Sequence, residues 1–275
     1  MVTREGDQEV DQARRVAERV ARQSYGKLVA FLAARTRDVS GAEDALSDAF
    51  AAALCDWPEH GVPRVPEAWL LAAARRRVID AGRRRQTIAN AAGHLRLLAD
   101  EMADAADDGP EIPDDRLSLM FACAHPAIDP AVRAPLMLQT ILGFDAVAIG
   151  SAFLVPPSAM GQRLVRAKAK IRQAGIPLRV PARTELRPRL DAVLDCIYAI
   201  FAQGWSDPAG TDPRRRNLGD EGVWLGQLLA SLLPDEPEVL GLLALMLHAE
   251  ARRHARRGAS GEYVPLAEQD PALWD

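Results

Sequence analysis

A helix, a tight turn and a second, basic helix are predicted for residues 144–172, and no other stretch constrains the fold as strongly. At about 100° per residue, four apolar side chains of the second helix fall on one narrow stripe: Met160, Leu164, Ala167 and Ile171. A second stripe carries three positive charges, an amide and a small side chain: Ala159, Gln162, Arg163, Arg166 and Lys170. This pattern is typical of a helix-turn-helix whose second helix enters a DNA major groove.

The preceding helix supports this interpretation, because its apolar residues can pack against the first stripe. We expect those contacts to come from Val147, Ala148, Ala152 and Phe153. The alternative is an ordinary surface helix with a solvated basic face. The turn and the position of the preceding helix favour the DNA-binding interpretation.

Charge is unevenly distributed along the chain, so the net charge of −4 is a poor guide to its partners. Residues 162–183 contain seven basic residues and no acid, and residues 75–85 contain six arginines and one acid. Residues 100–115, which lie between them, contain eight acids and no basic residue. Two basic segments that flank an acidic link predict two contacts with a polyanion.

Several other classes of protein are not expected. No long uncharged run could span a bilayer, and the N-terminus lacks the apolar core of a signal peptide, so we expect a cytoplasmic protein without a membrane partner. The three cysteines are far apart, which argues against a disulfide framework. Nucleotide-binding loops, metal clusters and nucleophile elbows are missing, so we expect no enzyme, catalytic residue, cofactor or metal.

A capping box at Ser40–Glu43 predicts the start of another helix, and Trp57-Pro58 predicts its end. Its apolar residues recur at helical spacing: Ala42, Ala45, Leu46, Ala49, Phe50, Ala53 and Leu54. Three acids lie off this stripe: Glu43, Asp44 and Asp48. They either interact favourably with the helix N-terminus or form an acidic docking surface.

The next predicted helix, residues 67–85, places Trp69 on the same side as several arginines. A tryptophan in such surroundings can stack on unpaired bases while the arginines hold phosphates. The alternative is that Trp69 belongs to the core and the arginines are merely solvated.

Helices are also expected over much of the remaining chain. Residues 1–12 are expected to be frayed, and a short helix around residues 94–102 precedes an acidic linker. Further helices are predicted at residues 114–124, 130–142, 186–203, 221–233 and 236–256. The last two form a helix pair joined at Pro234, with Asp235 as the N-cap of the second.

Taken together, these segments resemble a bacterial RNA polymerase sigma factor of the extracytoplasmic-function group, within the sigma-70 family. The promoter-melting region of that family is similar to GAEDALSDAFAAALCDW and PEAWLLAAARRRVIDAGRRR, and its second DNA-binding region to DDRLSLMFACAHPAIDPAVRAPLMLQTILGFDAVAIGSAFLVPPSAMGQRLVRAKAKIR. The stretches IYAIFAQGWSDPAG, LLPDEPEVLGLLALMLHAEAR and LAEQDPALWD resemble a subgroup with a tetratricopeptide-like C-terminal extension. Members of that subgroup usually run further, so we expect residues 184–275 to be part of the extension.

The resemblance implies an all-α fold with four parts: sigma region 2 at residues 13–86, an acidic linker at 87–112, sigma region 4 at 113–175 and the helical extension at 184–275. It implies that Glu43, Asp44 and Asp48 bind core polymerase. The −10 element would be held by Trp69, Arg76, Arg77, Arg83 and Arg84. The −35 element would be bound by Ser158, Ala159, Gln162, Arg163, Arg166 and Lys170.

The sequence therefore predicts a sigma factor whose partners are core RNA polymerase and promoter DNA. Residues 184–275 would regulate it, through a separate protein or an intramolecular contact. One alternative is a stand-alone helix-turn-helix regulator with a helical sensor domain, which would bind duplex DNA without polymerase. A weaker alternative is a helical scaffold that binds protein through residues 184–275.

Overall fold

The computed structural model describes residues 2–86, 114–205, 218–258 and 262–275, and these ranges are all-α, as predicted. The described α-helices are α1 (Val2–Thr36), α2 (Val39–His60), α3 (Pro66–Gln86), α4 (Arg116–Cys123), α5 (Pro130–Leu142), α6 (Ala146–Ala152), α7 (Pro157–Gln173), α8 (Arg183–Trp205), α9 (Leu218–Leu232) and α10 (Pro237–Glu250). The helix expected around residues 94–102 and the linker at 87–112 lie outside the described residues.

The chain divides into two compact units, Met1–Arg189 and Leu190–Asp275, with the division inside α8. The segments predicted as separate modules at residues 13–86 and 113–175 both lie in the first unit. None of the helices in the described ranges combines the length and apolar character needed to cross a bilayer.

Helix α1 is the centre of the first unit, because it packs against α2 and α3 and also against α4 and α5. It begins at Val2, so the expectation of a frayed segment at residues 1–12 is wrong. Its buried residues cluster in its second half: Leu28, Val29, Ala30, Phe31, Leu32 and Ala33. A helix that other helices cover on two sides needs apolar residues around most of its circumference, and these six consecutive residues provide them.

Helix α2 begins and ends at different residues from those predicted. Its N-cap is Asp38, whose side chain accepts a hydrogen bond from the backbone N–H of Gly41 at 3.1 Å, so Ser40 is not the cap. At the other end, Pro58 lies inside the last turn and the helix continues to His60. The helix ends at Gly61, which has a φ of 85° and donates its N–H to the carbonyl of Trp57.

Helices α4 and α5 also pack against α1. The bounds of α5 agree with the prediction, because Pro130 stands at its first turn and Gly143, with a φ of 69°, follows its last residue. Helix α4 begins at Arg116, two residues after the predicted start. Where α1 crosses the end of α5, a Cβ at Gly26 would lie 2.0 Å from the carbonyl oxygen of Ile141.

The second unit contains the predicted helix pair, formed by α9 and α10. Leu225 and Leu229 of α9 and Met246 of α10 are fully buried. The N-cap position of α10 is Glu236, so the prediction of Asp235 is wrong. Two short 3-10 turns, Leu266–Glu268 and Pro271–Leu273, follow an isolated bridge between Arg257 and Tyr263.

The core of the first unit depends on the buried stripe of α2, which gives a test. We expect Leu46→Ala to lower the free energy of unfolding by about 3 kcal/mol, because Leu46 is fully buried and its truncation leaves a cavity. Leu54→Ala is the matched control, since Leu54 lies on the same helix with 47% of its surface exposed. Urea denaturation followed by circular dichroism measures both. Equal losses for the two variants would contradict this description of the core.

Candidate nucleic-acid interface

A helix-turn-helix is present at the predicted place, formed by α6, a turn at residues 153–156 and α7. Asp145 caps α6 by accepting the backbone N–H of Ala148 at 2.7 Å. The turn folds back tightly, because a Cβ at Gly150 would lie 2.7 Å from the carbonyl oxygen of Val155. Leu154, at the tip of the turn, has a φ of 53° and is 94% exposed.

The contacts of α6 differ from those predicted. Its buried residues are Ile149 and Gly150, whereas Val147, Ala152 and Phe153 are exposed. Val147, Ala152 and Phe153 are therefore not buried against α7 as predicted, while Ala148 is partly buried. Helix α6 has only about two turns, and the chain of the following turn returns close to Gly150, so Ile149 and Gly150 are the residues that become covered.

Helix α7 has the buried stripe that its periodicity predicted, formed by Met160, Leu164, Ala167 and Ile171. The residues predicted to contact the −35 element lie away from this stripe. Five of them are exposed and Ala159 is partly exposed; the exposed ones are Ser158, Gln162, Arg163, Arg166 and Lys170. The structure thus brings the set together on one accessible, positively charged surface, and its contact with DNA stays a prediction.

A third face of α7 contacts α2, and the helical periodicity of α7 does not predict this contact. The Nζ atom of Lys168 lies 2.6 Å from Oε2 of Glu43, and both side chains are 11% exposed. One turn further, a guanidinium nitrogen of Arg172 lies 3.2 Å from Oδ2 of Asp38. The spacing of four residues places both cations on one side of α7. The basic residues of α7 therefore divide between an internal contact and the exposed surface.

Glu43 was predicted to lie off the apolar stripe of α2, but it is buried. It is 8% exposed, and no described residue donates a hydrogen bond to its Oε1 atom. Burial raises the pKa of the Glu43 carboxyl above its ordinary value, and the charge and hydrogen bond of Lys168 oppose that rise. The charged form of Glu43 is therefore stabilised mainly by Lys168.

The other two acids predicted to bind polymerase, Asp44 and Asp48, are exposed on α2. The Oδ2 atom of Asp48 lies 3.9 Å from Nε of Arg77 on α3, and both side chains are largely in solvent. An ion pair of this length and exposure contributes little to stability. These two acids thus remain accessible to a partner, unlike Glu43.

Trp69 links α3 to α2 through an aromatic contact. Its ring lies against the ring of Trp57 in an edge-to-face arrangement, with centroids 5.6 Å apart. Trp57 is fully buried, whereas Trp69 is partly exposed. Trp69 is therefore neither a core residue nor a free surface residue, and its position is fixed by the buried ring behind it.

Four arginines of α3 are predicted to contact the −10 element. Arg76 and Arg77 are exposed, while the side chains of Arg83 and Arg84 lie outside the described part of the chain. Leu70, Leu71 and Ala74 of the same helix are buried. The described arginines thus share the surface of α3 with the partly exposed ring of Trp69.

Comparison with known proteins gives a match for each unit. Residues 20–88 match the family model described as Sigma-70 region 2, which supports a sigma-70 family sigma factor. Residues 189–275 match a model described as Family of unknown function (DUF6596). An uncharacterized protein of Rhizobium meliloti (strain 1021) is 39% identical over 256 residues, which cover 92% of this chain. The chain spans 60% of that relative's length. No solved structure matches the chain.

The ion pair between α2 and α7 predicts a pH-dependent loss of stability. At about pH 8 we expect Lys168→Met to lower the free energy of unfolding by about 3 kcal/mol, because a charged Glu43 is left buried without a partner. Since the raised pKa favours the protonated carboxyl, the loss should shrink towards about pH 5. Chemical denaturation at both pH values measures it.

The double variant Glu43→Gln/Lys168→Met is the control, because it removes both charges and the titrating group. We expect its own stability to lack the pH-dependent contribution of Glu43, so that it changes less between these two pH values than the stability of Lys168→Met does. A loss for Lys168→Met that is the same at both pH values would show that Glu43 does not change its protonation state between them, and would contradict the prediction.

Proposed function

We propose that this chain is a sigma factor of the extracytoplasmic-function group, which binds core RNA polymerase and directs it to the −35 and −10 elements of promoters. The observation that carries the proposal is the match of residues 20–88 to sigma-70 region 2. The helix-turn-helix in the same compact unit supports it, because a promoter-recognition factor of this kind needs a second, duplex-binding surface.

The exposed face of α7 suits contact with the −35 element as duplex DNA. Arginine forms bidentate hydrogen bonds with guanine, glutamine pairs with adenine, and lysine neutralises phosphate charge. Arg163, Arg166, Gln162 and Lys170 supply these groups on one surface, because the buried stripe of α7 fixes which way the helix faces. Exposed Ser158 lies at the first turn, where backbone N–H groups favour an approaching phosphate.

The surface of α3 suits contact with unpaired bases of the −10 element. An aromatic ring stacks on any base, and this platform must keep its position when the duplex opens. The edge-to-face contact with buried Trp57 gives Trp69 such a support. Exposed Arg76 and Arg77 lie on the same helix and suit contacts with phosphates of the separated strand.

Polymerase binding is assigned to the acidic side of α2, with Asp44 and Asp48 as the accessible residues and Glu43 as the covered one. The C-terminal unit is assigned a regulatory role, through a tetratricopeptide-like helical arrangement that α9 and α10 begin. Its match to a family of unknown function is compatible with this role.

In vitro transcription with bacterial core polymerase tests the proposal. The chain should comigrate with core enzyme on gel filtration and support transcription from a defined start site. We expect Arg163→Ala to weaken promoter-dependent transcription by an amount equivalent to about 1–3 kcal/mol, because a base contact in the major groove is lost. Arg14→Ala, which removes an exposed arginine from α1, is the control and should have no effect.

Two outcomes contradict the assignment. Persistent separation from core polymerase at low salt would exclude the sigma factor function. Specific duplex binding without polymerase would support the stand-alone regulator instead.

A separate experiment tests the role of Trp69. We expect Trp69→Ala to spare binding of the −35 duplex but to impair strand opening, whereas Trp69→Phe should retain most of it because phenylalanine still stacks. Permanganate footprinting of unpaired thymines measures the opening. Normal opening in Trp69→Ala would limit Trp69 to its packing against Trp57.

A further inference from the structure

Helix α10 is apolar around its whole circumference, which is unusual for a helix that packs against one neighbour. Every residue from Val239 to Leu247 is apolar. Val239 and Met246 are buried on the side that packs against α9, where the Met246 side chain approaches Gly226. A helix that is apolar on every side is normally buried on every side. The other side of α10 therefore indicates a surface that a partner covers.

The side of α10 opposite to α9 is exposed. Leu240, Leu245 and Leu247 keep 45%, 55% and 44% of their surface in solvent. Gly241 and Ala244 are exposed between them, and a Cβ at Gly241 would meet no atom within 4 Å. At about 100° per residue these five residues form one continuous surface, the α10 face, which is centred opposite to the buried side. Leucines that flank small residues form the ridges and the groove into which a second helix packs.

Charges of opposite sign stand at the two ends of the α10 face. Glu238 is exposed in the first turn of α10, and Arg252 lies in the turn that follows the helix, where its Nε donates to the carbonyl of His248. Leu245 stands midway, seven residues from each, so the three residues lie along one side of the helix. Favourable interaction with the helix dipole explains the sign of each end charge. It does not explain the uncharged face between them.

We propose that the α10 face is a contact between two copies of this chain, with their α10 helices packed antiparallel about a two-fold axis near Leu245. Antiparallel packing brings Glu238 of one copy to Arg252 of the other at both ends of the contact. It also sets the leucines of each copy beside Gly241 and Ala244 of the other. A parallel pair would place like charges together, so the charge pattern selects the antiparallel arrangement.

The size of the contact determines its strength. Helix α10 has 14 residues, so a pair of such helices buries less than the roughly 800 Å² per partner that is usual in a stable interface. We therefore expect a weak dimer, with a dissociation constant of about 10–100 μM. The contact lies in the second unit, whereas the proposed DNA and polymerase surfaces lie in the first. The inference thus goes beyond the proposed function and does not depend on it.

Sedimentation equilibrium of the full chain, without polymerase or DNA, tests the contact. From about 1 to 300 μM the wild-type chain should pass from monomer to dimer. Leu245→Glu should weaken dimerisation about tenfold or more, because it places two carboxylates beside the two-fold axis. Leu54→Glu makes the same change at a leucine of α2 that is 47% exposed, and it should dimerise as wild type does. Circular dichroism checks that each variant keeps its helix content.

Charge reversal tests which residues meet. Glu238→Arg and Arg252→Glu should each weaken dimerisation about three- to fivefold, because each sets like charges together at both ends of the contact. The double variant Glu238→Arg/Arg252→Glu restores opposite charges and should return the affinity to nearly that of wild type. In a parallel pair the double variant would restore nothing.

Disulfide trapping gives a geometric readout. Cys55 is exposed, whereas Cys123 and Cys196 are buried, so Cys55→Ser provides a background without an accessible thiol among the native cysteines. In that background Ala244→Cys should form a covalent dimer under mild oxidation, since it lies close to the two-fold axis. Glu238→Cys should not, because antiparallel packing separates its two copies by about 21 Å.

The results separate this inference from the proposed function. A chain that stays monomeric over the whole range, a dimer that Leu245→Glu leaves intact, or a double charge reversal without restored affinity would each overturn the inference. None of these outcomes bears on the sigma factor assignment. A chain that dimerises as described but does not bind core polymerase would refute the proposed function alone.

Discussion

The first unit depends on one long helix that is buried from two sides. Helix α1 has 35 residues, which corresponds to about 50 Å, and it packs against α2 and α3 as well as against α4 and α5. A helix that serves two neighbours needs apolar residues around much of its circumference, as the continuous buried run from Leu28 to Ala33 shows. Segments far apart in sequence therefore share one core, and each surface of the unit is oriented relative to α1.

This shared core explains how one short helix can serve several purposes. Helix α7 has a buried stripe, a pair of cations directed at α2 and an exposed basic surface, at three different angles around its axis. The buried stripe fixes the rotation of the helix, and the other two faces follow from it. The positive charges that appear as one basic cluster in the sequence thus have two separate roles in the structure. The charge of Lys168 is neutralised internally, while Arg163 and Arg166 remain on the surface.

Features set by local residues could be predicted from the sequence, and features set by distant partners could not. The bounds of α5 follow from Pro130 and Gly143, and the core stripe of α7 follows from its periodicity. The burial of Glu43 could not be predicted, because its partner Lys168 is 125 residues away. Residue spacing along α2 indicates only which residues of that helix share a face. The same limit applies to Trp69, whose support by Trp57 comes from another helix. The N-cap of α2 is a different case: Asp38 and Ser40 are both good caps, and neighbouring structure decides between them.

Two ion pairs join α2 and α7, and their net contribution to stability is smaller than their short distances suggest. Burying two charges costs nearly as much as their attraction returns, so such a pair is close to break-even when compared with an apolar contact. Water hydrates the two charged groups when they are apart, whereas exposing an apolar surface to water raises the free energy. The close approach at Gly26 has the same character, because a glycine contact brings backbones together without burying a large side chain. Both contacts determine where α1 and α2 meet α5 and α7, within a core whose apolar residues are buried from two sides.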